Sequence, residues 1–100
     1  MKGETTMLIE KITTNYFKVL SMLYDNKIVV NKKYMIPITQ SEVSEMMGIN
    51  KTTVNRIFKE LKSDNLIVND ENKNGRYYIT EKGIEVVKRI YSIKGVDDNA

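Results

Sequence analysis

Twice between Gln40 and Leu61 the apolar positions recur with a helical period, on either side of one glycine. Val43 and Met47 lie four apart on one face of a first short helix, Gly48 follows, and Ile49 sits just past the turn, ready to fill the corner. Val54, Ile57, Phe58 and Leu61 then recur at i, i+3, i+4 and i+7, which gives a second helix a single apolar stripe. Two short helices crossing steeply share a small core, and the turn between them needs a left-handed residue, a conformation glycine adopts without penalty. The helix starts are signalled separately. Thr39-Gln40-Ser41-Glu42 reads as a capping box with Ile38 and Val43 as the hydrophobic staple, so the first helix begins at about Gln40. Asn50 reads as the N-cap of the second, whose opening turn is Lys51-Thr52-Thr53, and Pro37 suits an extended approach. The pattern predicts a helix-turn-helix.

Beyond Leu61, Ser63-Asp64-Asn65 breaks the helical pattern. Leu66-Ile67-Val68 reads as a strand, Asn69 to Gly75 as a polar turn, and Arg76-Tyr77-Tyr78-Ile79 as the returning strand of a two-stranded wing. Toward the N-terminus, Leu8, Ile12, Tyr16, Val19, Leu20 and Leu23 form one helical stripe across Leu8 to Tyr24, widened by Ile9, Phe17, Met22 and Tyr24. Ile84, Val87, Ile90 and Tyr91 form another near the C-terminus. More apolar residues stand on these two helices than one small core needs, so they are expected to pack together and to build a two-fold dimer. Ile28-Val29-Val30 and Tyr34-Met35-Ile36 flank Asn31-Lys32-Lys33, either as a hairpin or as a loop leading into a strand that pairs with the wing; the pattern leaves both open. Residues 1–5 and 96–100 read as loose tails of a single unit spanning 1–100.

The polar residues left on the second helix change the picture from fold to ligand. Thr52, Asn55, Arg56 and Lys59 lie off the apolar stripe and would project into a major groove. Arg suits a guanine edge, Asn an adenine edge, and Thr a thymine methyl or a phosphate. In the wing loop, Lys73 and Arg76 could reach along the DNA backbone or into a minor groove, while Asp70 and Glu71 would repel phosphate, so only the far side of the wing is expected to touch DNA.

With these residues in place, the chain resembles the winged helix-turn-helix DNA-binding family, in particular small regulators of the MarR and ArsR type. The resemblance covers about residues 15 to 94 and rests on ITQSEVSEMMGINKTTVNRIFKELKSDNLI and on YYITEKGIEVV, with Thr80 capping the final helix and Gly83 in its first turn. It implies an α+β, mainly helical fold with N- and C-terminal dimerisation helices. It also implies a recognition helix after Asn50, double-stranded DNA as the partner and a homodimer as the working form. Base reading then falls to Thr52, Asn55 and Arg56, with Lys51, Thr53, Lys59, Lys73 and Arg76 completing the DNA-binding set. The chain is also similar to TubR-type centromere-binding proteins, which implies binding to repeated sites and a tubulin-like filament as a further partner.

Composition removes several relatives' functions. The chain has no Cys and no His, so the usual ligands of metal sensors, the thiol of redox sensors and Cys–His or His general-base catalysis are all missing. No Gly-rich phosphate loop or nucleophile elbow is present either, so no cofactor, metal or enzymatic activity is expected. Glu42 and Glu45 stand near the start of a capped helix, where the helix dipole alone favours acidic residues. Net charge is only +3, and between Lys51 and Arg76 six basic residues stand against four acidic ones. Affinity independent of sequence comes from phosphate neutralisation, so one copy should bind weakly, and two copies on adjacent major grooves should bind together. No signal peptide or transmembrane run is visible, which places the expected site of action in the cytoplasm; the richness in Asn, Ile and Lys fits an A/T-rich bacterial, plasmid or phage genome. Three functions follow: a transcriptional repressor, favoured; a plasmid or phage segregation or replication protein; and a winged helix used only for protein association.

Overall fold

The cap chemistry sets where the central helices begin. In the computed structural model, which describes residues 14–73 and 75–94, the elements run α1 (Asn15–Asp25), β1 (Ile28–Val30), β2 (Lys33–Ile36), α2 (Gln40–Met47), α3 (Lys51–Ser63), β3 (Ile67–Asn69), β4 (Tyr77–Ile79) and α4 (Glu81–Lys94). The Thr39 hydroxyl accepts the Glu42 N–H at 3.1 Å, and the Glu42 carboxylate accepts the Thr39 N–H at 2.9 Å, closing the capping box at the start of α2. Asn50 Oδ1 accepts the Thr53 N–H at 2.8 Å and starts α3. Between them Gly48 takes φ +66° and ψ +31°, the left-handed turn that joins the two helices. Val43, Val54, Ile57, Phe58 and Leu61 are all buried, so the facing stripes meet as the sequence pattern requires.

The segment left open, residues 25–38, proves to be both of its alternatives. β1 and β2 form a hairpin whose turn residues Asn31 and Lys32 are both left-handed, at φ 51° and 67°, the pattern of a type I′ connection. β2 then pairs with β4, so the wing strands β3 and β4 continue into an antiparallel four-stranded sheet of order β1-β2-β4-β3. Residues paired across the strands share a face. Ile36, Ile67, Tyr77 and Ile79 point inward and are buried, whereas Met35, Val68 and Tyr78 point outward. The register also places the β1–β2 turn at the end of the sheet next to Thr80, and the wing loop at the opposite end, beside Ile36.

The first and last helices pack on each other, the first also on α3 and the last also on β4. Val19, Leu20, Leu23 and Tyr24 of α1 and Ile84, Val87, Ile90 and Tyr91 of α4 are buried in one core, and the Tyr24 and Tyr91 rings meet edge to face at 5.6 Å. Among the described residues of these two helices, Ile93, at 39% exposure, is the large apolar side chain left open. The expected helical segment Leu8 to Thr13 and both expected tails lie outside the described residues. Two tyrosines tie α1 down at its ends: the Tyr16 hydroxyl donates to the Asp64 carboxylate, and the Tyr91 hydroxyl to Asp25 at 2.6 Å. Burial first, and the carboxylate partner second, push both phenols above the ordinary tyrosine value. An unfolded chain releases those protons near pH 10, whereas the folded chain holds them. Stability tied to the pair is thus complete below about pH 10 and is lost as pH rises above it. In an alkaline absorbance titration, two of the six tyrosines are expected to ionise only as the protein unfolds, and free titration of all six in the folded state would contradict these ties.

Candidate nucleic-acid interface

Because the apolar stripe of α3 is spent on the core, its opposite side is set by default as the outward surface. Lys51, Thr52, Asn55, Arg56 and Lys59 are all exposed there, and Thr53, half-buried, commits its N–H to the Asn50 cap. Arg56 Nη1 lies 3.3 Å from Glu60 Oε1 one turn on, with both side chains largely in solvent at 67% and 48% exposure. An ion pair so exposed contributes about 0–1 kcal/mol, so the guanidinium is available to a stronger acceptor. Asn55 is tied instead to the start of α2: its Nδ2 donates to Gln40 Oε1 at 3.2 Å, and Gln40 Nε2 donates to the Tyr77 hydroxyl at 3.0 Å. These bonds link α3, the start of α2 and the wing strand β4.

The wing separates its charges. Lys73 and Arg76 line a cleft of about 280 Å³ with Ile36, Pro37 and Thr39, on the side next to the start of α2. Asp70 and Glu71 line a different cleft, with Lys32, Lys33 and Tyr78. Asp70 is also occupied within its own loop, accepting the Asn72 N–H at 2.9 Å and the Tyr78 hydroxyl at 3.2 Å. Tyr78 is pushed above the usual tyrosine value, by desolvation first and by the Asp70 carboxylate second. Lys73 and Arg76 thus line the cleft beside the start of α2, in which Asp70 and Glu71 take no part, although Arg76 also acts on Tyr78, whose pKa it lowers against the Asp70 carboxylate. Sequence reasoning missed Gln40, which reads only as the first residue of a helix; no spacing rule links it to positions 55 and 77. Among the described residues there is no cluster of three or more side chains suited to a metal ion, and no helix long and apolar enough to cross a membrane.

Comparison with solved structures supports the same fold. A substituted MepR from S. aureus, bound to an oligodeoxyribonucleotide, is 22% identical with a TM-score of 0.67, matching 94% of this chain and 67% of that one. SlyA, described as a transcriptional regulator, is 24% identical with a TM-score of 0.63 over 84% of this chain and 56% of its own. The reduced CO-sensing protein of R. rubrum is 13% identical with a TM-score of 0.63 over 90% of this chain. This chain spans only 41% of that protein's length. A search of curated protein sequences finds no match. The model of the Crp-like helix-turn-helix domain matches residues 18–82, from within α1 through α2, α3 and the wing into the first turn of α4. With that match spanning more than half its length, the chain belongs to the Crp-like helix-turn-helix family.

Proposed function

We propose that the chain is a transcriptional regulator that binds a specific double-stranded DNA site as a homodimer and represses by occupying it. The observation that carries this reading is the exposed row Lys51, Thr52, Asn55, Arg56 and Lys59 on α3, tied through Gln40 to the wing strand at Tyr77, with Lys73 and Arg76 of the wing beside the start of α2. On it, α3 enters a major groove, where Asn55 and Arg56 meet base edges and Thr52 a thymine methyl or a phosphate. Lys51, Thr53, Lys59, Lys73 and Arg76 hold the backbone. The weak net charge of +3 favours two copies over one, with half-site centres roughly 10 base pairs, or a multiple of that, apart. The role is binding rather than catalysis, and the expected compartment is the cytoplasm.

The reading is tested by selecting fragments of the source genome on the protein at near-physiological salt and footprinting what is retained. A palindrome over a promoter is the expected result. An array of direct repeats would replace repression by a segregation or replication role, and no enrichment would leave protein association. A sharper check is Arg56→Ala. Its ion pair with Glu60 is exposed, so the melting temperature should hold, while the loss of one bidentate base contact should cost about 1–3 kcal/mol of discrimination, roughly 5- to 150-fold. Unchanged discrimination in a competition assay would take Arg56 out of the reading helix.

A further inference from the structure

One hydrogen-bond chain on this surface links the core to a base-reading side chain. At one end stands Tyr77, only 6% exposed, its ring edge-on to Phe58 at 5.0 Å. At the other stands Asn55, exposed on α3. Gln40, half-buried at the first position of α2, connects them by the bonds of 3.2 and 3.0 Å described above. The helix does not need an amide at this position for its own start, because Thr39 and Glu42 already satisfy the cap. What Gln40 does is restrain a side chain that would otherwise sample several rotamers in solvent.

We propose that Gln40 is a positioning residue for base recognition, fixing the orientation of the Asn55 carboxamide so that Asn55 selects adenine. This rests on the DNA-binding reading. Adenine presents one acceptor and one donor in the major groove, so an asparagine reading it must donate with Nδ2 and accept with Oδ1 at once. A carboxamide carries two N–H donors. Gln40 Oε1 takes one of them, which leaves the second N–H and Oδ1 for the base. Without that acceptor the Asn55 group can turn over and offer the reversed pair, and the preference for adenine goes. Gln40 is held in turn by the Tyr77 hydroxyl, so the selectivity of α3 is anchored in the wing strand.

The test is to select duplexes from a pool randomised over the binding site with the wild type, Asn55→Ala, Gln40→Leu, Gln40→Glu and Tyr77→Phe, and to sequence the bound DNA. Thermal melts confirm that each variant folds. The wild type should enrich adenine at one position per half-site by about tenfold or more, and Asn55→Ala should flatten that position and so identify it. Gln40→Leu should reduce the preference there to within about threefold and leave the other positions as they are. Gln40→Glu still offers an acceptor to Asn55, so it should keep the adenine while binding every duplex more weakly, as an added negative charge beside phosphates demands. A purely structural link would not separate these two variants. Tyr77→Phe keeps the packed ring, removes the anchor and should lose part of the preference. Adenine retained by Gln40→Leu, or lost equally by Gln40→Glu, overturns the proposal, as does an Asn55→Ala profile identical to the wild type. A wild-type pool without any motif overturns the DNA reading itself, a result distinct from all of these.

Discussion

Gly83→Ala is expected to lower the melting temperature by about 5–15 °C, although alanine is the better helix former. In an open helix position the exchange would stabilise by about 0.4–1 kcal/mol. At position 83 there is no room for it. An added Cβ would lie 2.3 Å from the Leu66 carbonyl oxygen and 2.8 Å from Ile79 Cγ2, and the first of these is backbone that cannot rotate away. That carbonyl is also employed: it accepts the Thr80 N–H at 3.0 Å and the Thr80 hydroxyl at 3.2 Å, while Lys82 Nζ donates to the neighbouring Asp64 carbonyl at 3.1 Å. Moving it would loosen the joint where the end of α3 meets the start of α4. Overpacking of this kind costs about 1–3 kcal/mol, which exceeds the propensity gain. Gly75→Ala provides the contrast. With φ +79° and no atom within 4 Å of the added Cβ, it meets backbone strain alone, of about 1–2 kcal/mol. Calorimetry of both variants decides the matter, and a larger loss for Gly75→Ala would mean that the joint yields more easily than its geometry implies.

Raising salt from 50 to 200 mM is expected to weaken specific DNA binding by about ten-thousand-fold, the largest effect anticipated for this protein. Lys51, Lys59, Lys73 and Arg76 in each of two copies would neutralise about eight phosphates, giving a slope of log affinity against log salt near −7. The wing residues are counted because Lys73 and Arg76 line the cleft beside the start of α2, a cleft that Asp70 and Glu71 do not line. Lys73→Ala should make the slope shallower by about 2 for a dimer and weaken cognate and unrelated duplexes alike. Filter binding or fluorescence anisotropy over a salt series measures both quantities. A slope near zero would point to a protein interface, which has no condensed counterions to release, and a selective loss with Lys73→Ala would make the wing a sequence reader.

Where a feature depends on neighbouring residues, the sequence spells it out. Thr39 with Glu42, Asn50 ahead of Thr53, Gly48 between two stripes and Thr80 before Gly83 are local solutions to unsatisfied backbone groups, and each is visible within a few positions. The outward face of α3 is legible for the same reason, as the complement of a clear apolar stripe. Strand pairing is less so. Ile28-Val29-Val30 meets Tyr34-Met35-Ile36 through a turn of Asn31 and Lys32, which lacks the Asn-Gly pair that usually announces such a hairpin, and the pairing of β2 with β4 spans more than forty residues. The first wing strand is displaced by one residue from Leu66–Val68 to Ile67–Asn69, because Leu66 turns into the core directly after left-handed Asn65. The Asn55–Gln40–Tyr77 chain depends on three distant side chains converging, and helical or strand periodicity carries no trace of it.

The placement of the two loops at opposite ends of the sheet has a practical consequence. The Asn31–Lys32 turn is exposed and lies at the end of the sheet beside Thr80, where α3 finishes, whereas the wing loop and the Asn55–Gln40 link stand at the other end. A fluorophore or short epitope grafted into that turn would therefore report on the protein in solution or on DNA without covering the surface that reads it. A β-hairpin that adds an edge strand and its neighbour to the sheet thus doubles as an attachment point for single-molecule tracking.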